Sequence, residues 1–346
     1  MKKLLTLALL IIFCSVTAWR FWPGFSAPLE GFVQKMLSAW SPVKKAVLQG
    51  TSTAFSGKRE TTVSSNGEGR LWVEPVTGMT FIWIPEGCFR MGSEESEQGR
   101  DRDEGPTHEV CLDGFWIGQR EVTREEFRRF VEASGYVTDA EREGYSWVYT
   151  GSWEKRGGYS WRRPGFYQDD SHPVVHVSLQ DALAMAKWLE EKAQVTFGLP
   201  TEAQWEYACR SGRMEARFWG EDSHAACSYA NVADRTAAED FPSWDVHGCS
   251  DGFVFTAPAA SYQPNAFGLY DMLGNVWEWC MDGYDPNAYR KHGTKNPAVM
   301  DSNVTARVIR GGSWHSRPEH VRCAKRDALS RPDRRSQDLG FRLIRQ

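Results

Sequence analysis

At 346 residues, 41% of them hydrophobic, the chain has material for one large domain or two ordinary ones, so core size is not limiting. A formal charge of −4 without any basic stripe excludes a nucleic-acid footprint. Sixteen Trp beside 31 Gly exclude a plain helical bundle and suit turn-rich backbone held by large aromatic side chains.

The chain opens with the basic Lys2 and Lys3, a short apolar run from Leu4 to Ala18, and the small residues Val16-Thr17-Ala18. Residues 1–18 are therefore expected to be a secretory signal peptide, too short for a span of about 20 residues. The other reading is an uncleaved anchor, with Trp19, Phe21 and Trp22 extending the apolar stretch into peripheral membrane contact. Phe13 before Cys14 argues against lipid attachment. Export predicts a periplasmic or secreted protein whose cysteines pair. Of the eight cysteines, loss of Cys14 leaves seven, so one stays single.

Residues 19–70 read as a linker, since QGTSTAFSGKRETTVSSNGEG is polar and without periodicity. The domain is expected at 71–346. LWVEPVTGMTFIWIP predicts two short strands around Thr77-Gly78, with Met79, Phe81 and Trp83 alternating. Glu94 to Pro106 reads as a solvated charged loop. Three helix starts follow: Thr123 with Glu126, Ser178 with Asp181, and Thr201 with Gln204, each ahead of apolar residues at helical spacing. Beyond Gly212 no long helical period is visible, and short strands with Gly, Pro and Asn turns fill the rest. His172 and His176, on an extended strand, would stand about 13 Å apart, too far for one ion. No phosphate loop, hydrolase elbow or zinc-protease motif is present. These features predict an α+β domain rich in coil.

Four blocks then carry a resemblance: IPEGCFRMGS with HEVCLDGFWIGQREVTREEF; HPVVHVSLQDALAMAKWL with LPTEAQWEYACRSG; NAFGLYDMLGNVWEWC; and RVIRGGSW with PDRRSQDLGFRL. In this order, from about Gly78 to Arg345, they resemble the formylglycine-generating enzyme family, the sulfatase-modifying-factor domain. The resemblance implies one α+β domain of low regular secondary structure, remotely related to C-type lectins.

It also implies structural calcium. Hard cations take carboxylate and carbonyl oxygens on bent chain, and LYDMLGNVWEW offers Asp271 and Glu278 around a glycine turn. By resemblance the ligands are Asp271 and Glu278 with the Met272, Gly274 and Val276 carbonyls. A second set falls on Asn231, Val232, Asp251 and Phe253. The alternative is a turn whose carboxylates only cap backbone amides. The resemblance pairs Cys209 with Cys323, while Ala186 and Leu343 replace both halves of another family disulfide. Cys88 with Cys111, in adjoining strand-like segments, and Cys227 with Cys249, around Asn231, are the other expected pairs. Cys280 is left over, as a buried inert thiol or as a reactive one.

The family's oxidation of a substrate cysteine uses copper(I) on two cysteines, because copper(I) requires soft thiolates. Here Ser316 falls where the first belongs, and the second falls in a shortened stretch around Pro318 to Val321 with no cysteine. Copper and formylglycine formation are therefore not expected. The pocket candidates are Ser313, His315, Ser316, His320 and Arg326, and a His315, His320 and Glu319 set could hold another redox metal in principle. The arginine-rich end (Arg317, Arg322, Arg326, Arg331, Arg334, Arg335) has two readings. It is a solvated rim paired with local carboxylates such as Asp327, Asp333 and Asp338, or a cleft for a peptide or anion. The functions implied are a noncatalytic pseudoenzyme module for a protein or peptide partner, as in kinase activation for type VI secretion, or a periplasmic oxidoreductase of altered chemistry, as in pyoverdine tailoring. A lectin-like receptor is a third reading.

Overall fold

The computed structural model describes residues 71–301 and 303–346. The expected signal peptide, linker and Cys14 lie outside the described residues.

Among the described residues thirteen short strands form (β1 Leu71–Val73, β2 Thr80–Ile84, β3 Gly87–Met91, β4 His108–Leu112, β5 Phe115–Gly118, β6 Tyr145–Tyr149, β7 Trp153–Gly157, β8 Phe197–Gly198, β9 Trp277–Gly283, β10 Arg307–Arg310, β11 Arg326–Leu329, β12 Leu339–Gly340, β13 Ile344–Arg345). A five-stranded sheet runs β1-β2-β5-β13-β8 and a four-stranded sheet runs β11-β10-β9-β12. β3 with β4 and β6 with β7 are separate two-stranded ribbons. The α-helices of the described residues are α1 (Arg124–Ser134), α2 (Asp139–Glu143), α3 (Leu179–Ala193), α4 (Glu202–Arg210) and α5 (Ala237–Asp240). Most of the chain past Gly212 is coil, as its composition predicts.

β1 and β2 pair as the first strand signal requires, Leu71 opposite Ile82. The two-residue period then divides the core. Met79 and Phe81 enter one apolar cluster with α1 and α3, while Ile82 and Ile84 enter another with α4. The helices begin where the sequence placed them, because each start has a side chain that satisfies an orphan amide. Thr123, Ser178 and Thr201 accept from Glu126, Asp181 and Gln204 amides, and those three side chains reach back. α1 then buries Phe127, Phe130 and Val131 against Ala182, Met185 and Leu189 of α3. Each such large side chain contributes about 1.5–3 kcal/mol by leaving water.

Among the described residues three disulfides join Cys88 to Cys111, Cys209 to Cys323 and Cys227 to Cys249. Cys280 is free and buried, with burial first and then Asp282 pushing its thiol well above the usual range. Ala186 and Leu343 share one hydrophobic cluster.

One expectation is corrected, and one element is added. The Glu94–Pro106 loop is not simply solvated: Glu104 is fully buried and Glu97 half-buried, both paired with Arg322. Distant chain supplies the cation, which the local sequence cannot reveal. Residues 145–157, given no element above, form the β6–β7 hairpin, whose signal was alternating aromatics about Thr150-Gly151. Gly151 has φ 97°, where a side chain would be strained.

Candidate functional site

β10 runs into Gly311 and Gly312, both at positive φ. A Cβ on Gly311 would stand 3.2 Å from Trp205, and one on Gly312 3.1 Å from the Ser316 hydroxyl. This tight turn sets the segment that follows. Trp314 plunges into the interior and its amide donates to the Asn275 carbonyl at 2.9 Å. Ser316 closes the turn: its hydroxyl oxygen accepts from the Ser313 amide at 2.9 Å, and its amide donates to the Ser313 carbonyl at 2.8 Å.

Beside this turn lies a cavity of about 290 Å³. Trp153, Trp277, Ile309, Leu329 and Leu339 give it an apolar wall, and His315, Ser316, His320, Asp327, Arg334 and Asp338 give it polar groups. Sheet strands β9, β10 and β11 supply one side and the β6–β7 hairpin the other. The hairpin is pinned because the Trp147 amide donates to the Arg335 carbonyl at 3.1 Å. The Ser146 hydroxyl donates to the same carbonyl and meets His176 Nδ1 at 2.7 Å.

His315 sits among aromatic rings, 4.6 Å from Tyr149 and 4.5 Å from Trp244 between centroids. Burial, with His320 nearby, pushes its pKa down to about 4, so it is neutral at pH 7. Burial and then Lys325 lower His320 as well.

Only part of the expected pocket set meets here. His315, Ser316 and His320 line the cavity. Ser313 is fully buried beneath the turn. Arg326 is turned away, with Nε and Nη2 donating to the two oxygens of Glu202 at 2.6 and 2.9 Å. Glu319 ion-pairs with Arg317 at 3.5 Å, and the His315, His320 and Glu319 trio does not close on one point among the described residues. His172 and His176 are structural. His172 Nδ1 meets Asp169 at 3.0 Å, and His176 Nε2 meets the Pro164 carbonyl at 3.1 Å. The stretch holding them is not a regular strand, and His176 has φ 61°.

The two expected oxygen-ligand sets are brought together behind the Trp314 turn. Asp271 is at φ 53°, Gly274 at 81° and Asn275 at 55°, the sharp bend that an ion-binding loop needs. One Asp271 oxygen accepts from the Ala260 amide at 2.6 Å and the other has no partner. Glu278 is engaged differently: Arg342 and the Trp205 indole donate to its carboxylate at 2.6–2.8 Å. Glu121, absent from the sequence-based set, is fully buried with both carboxylate oxygens unpartnered. Burial, then Asp271 and Glu278, push it well above the usual carboxylate range. Three buried carboxylates against one Arg342 leave a charge deficit that a divalent cation would fill. The REV stretch after β5 carried the only signal for Glu121, an acid between a polar and an apolar residue.

In the second set, Asp251 accepts from the Val232 and Phe253 amides, both at 2.9 Å. Burial raises its carboxyl to about 7, with Asp234 adding to the rise. The buried Asn231 side-chain oxygen has no partner. Asp234 and Asp251 lie within reach of one ion, and the nearby Cys227 is held in its disulfide. Both donor sets therefore fit a hard cation. The sets are tied together, since the Asn275 amide donates to the Asn231 carbonyl at 2.8 Å.

Residues 72–346 match the family described as the sulfatase-modifying factor enzyme 1-like domain. The chain is similar to the formylglycine-generating enzyme of Streptomyces coelicolor, 38% identical over 75% of this chain and 87% of that one. It is also similar to the serine/threonine-protein kinase pkn1 of Chlamydia caviae, 34% identical over 76% of this chain and 37% of the kinase. Among solved structures, that of PvdO from Pseudomonas aeruginosa has a TM-score of 0.68 at 28% identity, covering 82% of this chain and 100% of that one.

Proposed function

The chain belongs to the sulfatase-modifying factor enzyme 1-like family, and from that premise we propose that it is an exported, noncatalytic module that binds a protein partner. The observation that carries this reading is Ser316. Its hydroxyl stands where the resemblance places a copper thiolate, and it is spent on closing the turn to Ser313. A neutral hydroxyl is a poor copper(I) ligand. No cysteine lies between Cys280 and Cys323, and Cys280 is buried elsewhere.

In this reading calcium is structural: bound to the Asp271 and Asp251 sets, it would neutralise buried carboxylates and fix coil. Glu121 and Asp271 would hold one ion, with Glu278 and Arg342 beside them, and Asn231 with Asp251 the other. The protein would work in the periplasm or outside the cell, after signal cleavage or on an uncleaved anchor. An envelope kinase is one partner that suits it, since the similar stretch of pkn1 lies within a kinase chain.

A second reading, a periplasmic oxidoreductase of altered chemistry, is favoured by the likeness to PvdO and by two imidazoles in one cavity. Metal analysis and oxygen uptake separate the two. The expected result is calcium without copper or iron, and no oxygen uptake with a cysteine-containing peptide. Stoichiometric redox metal that is lost on His315→Ala or His320→Ala would overturn the noncatalytic reading.

A further inference from the structure

The second oxygen set is assembled from two limbs of coil. Asn231 and Val232 lie on one and Asp251 and Phe253 on the other, so the site exists only while the limbs stay side by side. Cys227 stands just ahead of Asn231 and Cys249 just ahead of Asp251, and the bond between them crosses from limb to limb. Hydrogen bonds cross too. The Val232 amide donates to Asp251 at 2.9 Å, the Arg235 amide to the Cys249 carbonyl at 3.0 Å and the His247 amide to the Ala233 carbonyl at 2.8 Å.

The fully buried Asp234 is the pin between the limbs. It accepts from the Ala237 amide at 2.9 Å on its own limb and from the Asp251 amide on the other. Cys227 Sγ packs 3.8 Å from an Asp234 oxygen, so the disulfide touches the carboxylate that orients the Asp251 backbone. The Cys227, Asp234 and Asp251 ligand atoms all lie within 4.8 Å of one another. Two carboxylates that close oppose each other unless a cation joins them, and the covalent link holds the limbs together against that opposition. The disulfides also differ in access. Cys209 and Cys323 are fully buried, whereas Cys227 and Cys249 are each partly exposed. A thiolate must reach a disulfide sulfur to exchange with it, so the Cys227–Cys249 bond is open to a dithiol in solution. Cys88–Cys111 is open as well, but it joins β3 to β4, which supply no residue to either oxygen set.

Resting on the structural-calcium reading above, we propose that the Cys227–Cys249 bond is a redox latch on the second calcium site. Oxidised, it holds the limbs at the spacing the ion needs, so binding has little left to order. A dithiol reductant passes two electrons and two protons to the bond, becomes a disulfide itself and leaves two thiols. Hydrogen bonds alone then hold the limbs against the charges of Asp234 and Asp251. The first set is the internal reference, because Cys280, the cysteine beside Glu278, is free. The effect is reciprocal: calcium protects the bond from reduction by the factor with which oxidation tightens calcium.

The test is calorimetric titration of calcium into chelator-stripped full-length protein, comparing the wild type with C227A/C249A and C88A/C111A. The wild type should show two binding events. C227A/C249A should weaken one of them about 10–100-fold, the scale typical when a group that orients metal ligands is lost. C88A/C111A should change neither. Thermal unfolding with calcium checks the fold of both variants. On the wild type, stepwise dithiothreitol with alkylation and peptide mass mapping should show calcium protecting Cys227–Cys249 and not Cys88–Cys111. That measurement decides alone if C227A/C249A does not fold. Unchanged calcium binding in C227A/C249A, equal losses in both variants, or reduction of Cys227–Cys249 that ignores calcium would overturn the latch while leaving structural calcium in place. A wild type that binds no calcium would overturn both.

Discussion

Arg326 holds Glu202 through two parallel hydrogen bonds, Nε at 2.6 Å and Nη2 at 2.9 Å, and both side chains are almost fully buried. The pair ties β11 to the first turn of α4. Arg310 lies on the same carboxylate at 3.7 Å and also reaches Glu206, so one helix end carries a shared charge network.

Removing one partner of such a pair strands a buried charge. Glu202→Ala is expected to cost about 3–5 kcal/mol in urea unfolding. Asp333→Ala, which breaks the exposed pair with Arg331, should cost no more than about 1 kcal/mol. Equal costs would show that the Glu202 network does not hold the fold.

Calcium removal gives a second check. With the ion at about 100 times its Kd, chelation should remove about 2.7 kcal/mol, lowering Tm by roughly 5–10 °C. Glu121→Gln should weaken calcium binding about tenfold or more in calorimetry, because a buried anionic donor is lost. A Tm insensitive to chelator would speak against structural calcium.

The Cys209–Cys323 bond closes a separation of 114 residues. Replacing both cysteines with alanine should cost about 4–5 kcal/mol in the chain-entropy account. The midpoint of denaturant unfolding measures it, and a shift under about 1 kcal/mol would contradict that account.

Asp338 supplies a pH dependence. Burial raises its carboxyl from 3.8 to about 6. The folded state thus binds the proton more tightly, and this stability is fully present below pH 3.8 and lost as pH rises through about 6. The loss approaches about 3 kcal/mol. Asp338→Asn, which can still accept from Ser336, should flatten that part of the stability curve. An unchanged slope between about pH 4 and 6 would assign the effect to other groups.

The sequence by itself determined the pieces whose signals are local. Thr123, Ser178 and Thr201 announce helix starts because a cap and its reciprocal partner lie three residues apart. Met79, Phe81 and Trp83 announce a strand through a two-residue period. The four blocks identified the family because they keep their order along the chain.

Only the tertiary structure decided which charges meet. Arg322 reaches Glu104 across 218 positions, and Arg326 reaches Glu202 across 124. No local pattern encodes such pairs, since sheet register and burial bring them together. For the same reason Glu121 joined Asp271, and Ser313 and Arg326 left the cavity. Whether a charge is satisfied depends on what the fold places beside it, and that is a property of distance in space.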